Sequence, residues 1–150
     1  MTRRSILAAT LIAMFVAHVS PAAACSSLNG PPSEEQLFAK ATSVFVAHVT
    51  SVAEIAAPDD VKKVYPQILE ASIQTIEVIK GQPPAEAKVK SLPLGYGNCT
   101  LPLLAGADYI FFFQDQVSYV TFVTGSAGPI LNLGGTEVRG RLEKLRSLAK

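Results

Sequence analysis

The sequence is short of the residues on which many functions depend. It has no tryptophan, which removes the usual interfacial anchor of a membrane-surface helix. Lys and Arg number 13 against 12 Asp and Glu, so no overall charge favours binding to nucleic acid. Of the two histidines, His18 lies in an N-terminal apolar segment, and His48 alone excludes a multi-histidine zinc site. We therefore expect a non-enzymatic protein without a cofactor or a metal of its own.

The sequence leaves one enzymatic alternative open. His48 and Cys99 are residue types that form a nucleophilic dyad, and a hydrolase abolished by His48→Ala would support that interpretation. Lone strand histidines are more often packed or solvated, so we favour a structural role. Ser126 lies in Thr-Gly-Ser-Ala-Gly, which differs from the Gly-x-Ser-x-Gly nucleophile elbow. The sequence thus predicts no catalytic residue.

The first 24 residues have the three parts of a secretory signal peptide. Residues 1–4 are basic, residues 5–19 are almost unbroken apolar sequence, and residues 20–24 are Ser-Pro followed by three alanines. The apolar run is shorter than the ~20 residues of a membrane span, although a retained anchor is the alternative. We expect an exported protein, periplasmic or secreted, with mature residues 25–150.

The mature chain would begin with Cys25 and form one domain of ordinary size. Loss of Arg3 and Arg4 leaves 11 basic and 12 acidic residues, a formal net charge of −1. The only other cysteine is Cys99, so an oxidising compartment would allow one intramolecular disulfide, Cys25–Cys99.

A lipoprotein is the competing interpretation of Cys25. Lipoprotein signal peptidases also cut before cysteine, and acylation would anchor the chain to a membrane. Ala22 stands three residues earlier, where a larger aliphatic residue is usual. Acylation would leave Cys99 as a free thiol, so the lipoprotein and the disulfide exclude each other.

Hydrophobic periodicity predicts five strands between two helices. Ser33 and Gln36 form a capping-box pattern that starts a short helix, whose buried face would hold Leu37, Phe38 and Ala41. Strands are expected over residues 44–52, 67–79, 88–92, 108–114 and 117–124, with a turn at 58–60. A tight hairpin is expected at Asp115.

The chain ends in a predicted amphipathic helix with Thr136 as its N-cap. Its apolar stripe and its basic face could bind a membrane surface or an acidic partner. We favour a packed terminal helix, because the stripe is narrow and the cations suit the helix dipole. The stripe comprises Val138, Leu142, Leu145 and Leu148, and the basic face comprises Arg139, Arg141, Lys144, Arg146 and Lys150.

Five strands with flanking helices predict an all-β fold, a five-stranded Greek-key barrel of the OB-fold type with a short N-terminal helix and a C-terminal helix. OB barrels often bind nucleic acid through stacked aromatic rings, and residues 109–113 are rich in aromatics. Consecutive aromatics point to both faces of a strand, so most of them must be core. We expect no nucleic-acid partner, and a monomer.

Several segments together resemble the netrin-like domain of tissue inhibitors of metalloproteinases. The resemblance covers about residues 25–126 and depends on the order of its pieces rather than on any single one. The pieces are Cys25, Leu-Phe-Ala-Lys-Ala at 37–41, Val-Phe-Val-Ala-His-Val at 44–49, Ile-Glu-Val-Ile-Lys-Gly at 76–81, Asn98-Cys99, and Gly-Ala-Asp-Tyr-Ile-Phe-Phe at 106–112. The family has the OB fold.

The resemblance implies a disulfide between Cys25 and Cys99. It also implies that the α-amino group and carbonyl of Cys25 chelate the zinc of a target metalloprotease, while Ser26 enters the specificity pocket. A second family disulfide is absent, because Ser27 and Ser126 stand at its two positions. The alternative is a structural or interaction domain of the cell envelope, in which the disulfide only stabilises the fold.

Overall fold

The computed structural model describes residues 32–93, 100–114, 119–120, 126–130 and 133–150. In these residues the chain forms three helices and five strands. The helices are α1 (Glu34–Lys40), α2 (Asp59–Lys62) and α3 (Thr136–Leu148). The strands are β1 (Ser43–Ala56), β2 (Gln67–Lys80), β3 (Lys88–Ser91), β4 (Asp108–Phe113) and β5 (Ser126–Ile130).

The strands form one sheet in the order β3-β2-β1-β4-β5, and every ladder within it is antiparallel. Strand β1 is central and long, because fourteen residues rich in β-branched side chains continue without a breaker. It pairs with β2 from Val44 to Ala56 but with β4 only from Ser43 to His48. The protein is therefore mostly β, with helices added to an antiparallel sheet.

Strand β1 is buried on both faces at its start, as its sequence predicts. Phe45, Ala47 and Val49 point to one side, into a group that we call the aromatic cluster. Val44 and Val46 point to the other side, into the helix cluster beneath α1 and α3. The aromatic cluster comprises Phe45, Ala47, Val49, Ala71, Ile73, Val89, Leu101, Leu103, Tyr109, Phe111, Phe113 and Val120. The helix cluster comprises Leu37, Phe38, Ala41, Val44, Val46, Ile110, Phe112, Leu142 and Leu145.

Helix α1 starts at the predicted capping box. The Gln36 amide donates to Ser33 Oγ at 3.3 Å, and the Ser33 amide donates to Gln36 Oε1 at 2.9 Å. Leu37, Phe38 and Ala41 are buried, which confirms the predicted face. At the other end of α1, the Lys80 ammonium donates to the Phe38 carbonyl at 2.9 Å. The same ammonium lies 4.9 Å from the centroid of the Phe38 ring. The cap and the lysine together fix α1 against the sheet.

The sequence prediction was wrong at the second half of the sheet. Strand β4 pairs with Ser126–Ile130, where the sequence analysis predicted no strand. Phe111 lies opposite Ser126, so residues 112–125 separate the paired positions, too many for a tight hairpin at Asp115. Asp115 itself and most of the predicted strand 117–124 lie outside the described residues.

Smaller corrections concern two helix ends. The turn predicted at residues 58–60 continues into the single-turn helix α2, with Pro58 as its N-cap. Helix α3 has Gly135 rather than Thr136 as its N-cap. Of its predicted stripe, Leu142 and Leu145 are buried and Val138 is partly buried, whereas Leu148 is exposed. The helix packs through its middle, and its last turn extends beyond the cluster.

Candidate functional site

The predicted site residues Cys25, Ser26 and Cys99 lie outside the described residues. The described chain resumes at Thr100, directly after Cys99, and Thr100 is buried. The described residues nearest to this site are therefore 100–104, the segment that follows Cys99.

Residues 100–104 are irregular but firmly attached to the aromatic cluster. Leu101 and Leu103 are buried in it, and Ser91 Oγ donates to the Leu101 carbonyl at 3.0 Å. The Tyr109 hydroxyl donates to the Pro102 carbonyl and accepts from the Leu104 amide, both at 2.9 Å. Desolvation by burial raises the pKa of Tyr109 above its ordinary value. The hydroxyl therefore stays protonated at neutral pH and keeps both bonds.

A second group of polar residues lies on the sheet beyond the helix cluster. His48 and Asp108 are register partners on β1 and β4, and His48 Nδ1 lies 2.7 Å from Asp108 Oδ1. The pair continues the face of β1 that carries Val44 and Val46. The imidazole is partly exposed, so His48 is accessible from solvent.

The sequence did not reveal this pair. His48 appears in it as a lone strand histidine, and Asp108 as the first residue of another strand sixty positions away. Only the β1–β4 register brings them together, and nothing local specifies a register between distant strands. The dyad of His48 with Cys99 stays untested, because Cys99 lies outside the described residues.

The aromatic residues of β4 lie in the core, as expected for consecutive apolar side chains that point to both faces of a strand. Every side chain from Tyr109 to Phe113 is buried. The Phe111 ring centroid lies 5.3 Å from that of Phe45 and 5.5 Å from that of Tyr109. These separations are typical of packed aromatic pairs. The rings pack against one another in the core, so they form no exposed surface on which a nucleic-acid base could stack.

The basic face of α3 is largely paired within the chain. Arg146 forms two hydrogen bonds to the Glu77 carboxylate of β2, at 2.7 and 2.8 Å. Arg141 and Lys144 pair with Glu34 and Glu35, both in the first turn of α1. The result agrees with the packed terminal helix that we favoured from the sequence.

Two of these ion pairs lower the pKa of their carboxyl groups. The hydrogen bond from Lys144 holds the pKa of Glu35 at about 2. The hydrogen bond from Arg146 lowers the pKa of Glu77 in the same direction. Both carboxylates are therefore ionised at neutral pH, and the two pairs remain charged.

In the described part of the chain, no group of three or more His, Cys, Asp and Glu side chains could hold a metal ion. The same residues contain no helix that is long and apolar enough to cross a membrane. The chain matches no protein-family model and no curated protein sequence.

Proposed function

We propose that this chain is an exported, netrin-like OB-barrel binding domain that inhibits a zinc metalloprotease through its N-terminus. Cys25 supplies the α-amino group and carbonyl that bind the protease zinc, and Ser26 contacts the pocket beside it. The observation that carries this proposal is the anchorage of residues 100–104, which gives Cys99 a fixed neighbour in the core.

The barrel part of the proposal is supported by one contact between the two sides of the sheet. A sheet closes when its outer strands meet, and β3 and β5 are the outer strands here. Tyr119, seven residues before β5, forms a parallel bridge with Lys90 of β3. The Val120 amide donates to the Lys90 carbonyl at 2.8 Å. The chain leading into β5 thus meets the opposite edge.

The anchorage matters because chelation needs a rigid N-terminus. A disulfide from Cys25 to Cys99 would tie the first mature residue to the segment held by Ser91 and Tyr109. Atoms fixed before binding lose less conformational entropy on binding, so more of the interaction free energy appears as affinity.

The chemistry of the chelating group is compatible with a protease zinc. Catalytic zinc sites keep one coordination position open to water or substrate. An α-amino group has an ordinary pKa of about 7.7–8.0, so it loses its proton readily when it binds a metal. The proposed inhibitor would displace the zinc-bound water.

The test is inhibition of a panel of purified zinc proteases by the protein recovered after export. We expect nanomolar inhibition of at least one protease and its loss when one alanine is added before Cys25. A matched control adds one alanine after Lys150 and should inhibit like the unmodified protein. Equal inhibition by both extended proteins would exclude chelation through the N-terminus.

An intact mass with and without reduction separates this proposal from the lipoprotein alternative. The proposal expects an unmodified N-terminal Cys25 and two thiols that appear only after reduction. A lipid adduct on Cys25 with Cys99 already free would exclude the inhibitor and indicate a membrane-anchored protein.

A further inference from the structure

The hydroxyl group of Thr100 is buried without a partner in the described part of the chain. Only 5% of this residue is exposed, and its Oγ1 has no hydrogen-bond partner among the described residues. Most buried hydroxyls in proteins are paired, because an unpaired one has given up its bonds to water without replacement. The partner of Thr100 Oγ1 therefore belongs to a chain segment outside the described residues or is a bound water.

The polar groups that follow Thr100 are satisfied by the sheet. Ser91 Oγ donates to the Leu101 carbonyl, and the Tyr109 hydroxyl bonds to both Pro102 and Leu104. Thr100 is thus the exception in a segment that is otherwise well bonded. An apolar side chain of the same shape, such as valine, would fill its place without an unpaired hydroxyl, so packing alone does not require a threonine.

The proposed disulfide would bring one particular segment to this hydroxyl. Thr100 directly follows Cys99 in the chain. The Cα atoms of a disulfide are about 5.5–6 Å apart, and those of neighbouring residues about 3.8 Å. A Cys25–Cys99 bond therefore places the Cα atom of Cys25 within about 10 Å of that of Thr100. This limit includes the separations at which the Ser26 amide reaches Thr100 Oγ1.

We propose that Thr100 Oγ1 accepts a hydrogen bond from the main-chain amide of Ser26, which makes Thr100 a positioning residue for the chelating N-terminus. The inference rests on the proposed function, in which the Cys25 carbonyl binds the protease zinc. That carbonyl and the Ser26 N–H belong to one planar peptide group and point in opposite directions. A buried hydroxyl that holds the N–H therefore fixes the direction of the carbonyl and leaves its oxygen free for the metal.

The experiment compares three variants of the protein recovered after export. Thr100→Val removes the hydroxyl, and Thr100→Ser keeps it. The matched control is Ser43→Ala, because Ser43 is also 5% exposed with an unpartnered Oγ among the described residues, but lies opposite Phe113 at the start of β1.

We expect Thr100→Val to weaken inhibition of a sensitive zinc protease roughly 2–10-fold, the effect of losing one hydrogen bond. It should also speed reduction of the Cys25–Cys99 bond by a small thiol, by a similar factor. Thr100→Ser and Ser43→Ala should match the parent in both measurements. A reduction rate unchanged in Thr100→Val, or raised equally in Ser43→Ala, would overturn the inference.

Two further results separate this inference from the proposed function. If the parent inhibits no protease but Thr100→Val still speeds reduction, the hydrogen bond stands and the inhibitor is excluded. If the parent inhibits and Thr100→Val inhibits equally well, the inhibitor stands and the positioning role is excluded.

A measurement on the unsubstituted protein covers the case in which Thr100→Val does not fold. In the ¹⁵N-labelled mature protein, the Ser26 amide should exchange with solvent more slowly than its intrinsic rate. Exchange at the intrinsic rate, or the absence of a Cys25–Cys99 bond, would also overturn the inference.

Discussion

The two faces of β1 are held by different forces. The aromatic cluster consists of apolar side chains and one satisfied hydroxyl, and Phe45, Tyr109 and Phe111 are fully buried in it. The helix cluster has fewer members. Helix α3 covers this cluster, and ion pairs to α1 and β2 hold the edges of the helix. Apolar burial responds little to salt and pH, whereas exposed ion pairs respond to both.

This comparison indicates an order of stability within the molecule. The sheet and its aromatic cluster should be lost only on global unfolding. Helix α3 packs through Leu142 and Leu145, with Gly140 in its middle and no side-chain cap at its start. An interior glycine costs about 1 kcal/mol relative to alanine. We therefore expect α3 to open before the sheet does.

The largest effect is expected from Phe111→Ala. The ring is fully buried and contacts the rings of Phe45, Tyr109 and Phe113. Removing it should lower the free energy of unfolding by about 3–5 kcal/mol, through lost burial and the cavity left behind. Urea denaturation measures the change. The control is Val64→Ala, a residue 72% exposed, which should change stability by no more than about 0.5 kcal/mol.

A smaller effect is expected from Tyr109→Phe, which keeps the ring and removes the hydroxyl. The Pro102 carbonyl and the Leu104 amide would lose their partner, at a cost of about 1–3 kcal/mol. Amide hydrogen exchange should show faster exchange at Leu104 than in the parent protein. Unchanged exchange there would mean that Tyr109 does not anchor this segment.

The reduction rate of the proposed disulfide is a second measurement of the effect of Tyr109→Phe. If the anchorage holds Cys99 in place, Tyr109→Phe should also speed reduction of a Cys25–Cys99 bond by a small thiol. Thr50→Ala is a suitable control, because it removes an exposed hydroxyl bond to the Ser72 carbonyl elsewhere on the sheet. It should leave the reduction rate unchanged.

The smallest effect concerns α3 and pH. The pKa of Glu35 is about 2 in the folded protein against an ordinary 4.5, and the pKa of Glu77 is also lowered. The unfolded chain therefore binds more protons, so the attachment of α3 should weaken as pH falls from about 4.5 towards 2. The protection of the α3 amides, taken relative to the intrinsic exchange rate at each pH, should fall over that window while that of β1 stays high. The fall should be smaller at high salt, because salt screens the ion pairs.

Glu35→Gln with Glu77→Gln is the matching variant. It should make α3 less protected at neutral pH and remove most of the pH dependence across that window. Water screens exposed ion pairs and leaves them a small share of the total stability, so the global midpoint of unfolding should move little. If α3 and β1 open together at every pH, the two faces do not differ as we infer.

Local patterns predicted the first half of the fold well. The capping box at Ser33 fixed the start of α1, and the β-branched runs predicted β1 and β2 to within a few residues at most ends. The apolar residues on both faces of β1 at its start are typical of a buried strand, and the structure buries both faces there. Such features depend on neighbours along the chain, so the sequence contains them directly.

Features that join distant segments were not predictable in this way. The pairing of β4 with Ser126–Ile130 was missed, because glycine and proline in that stretch indicate a loop. The His48–Asp108 pair and the partners of the α3 cations were missed too. Each depends on a register or packing angle that no local pattern specifies.

The sequence by itself determined where the helices and the long strands lie, since capping and hydrophobic periodicity act over a few residues. It also determined that β4 is core, because five consecutive apolar side chains must fill both faces of a strand. Only the tertiary structure decided which strand meets which, which acids neutralise α3, and that His48 faces a carboxylate. Those outcomes follow from the free energy of packing the whole sheet, in which a shift of one residue would turn every side chain to the other face.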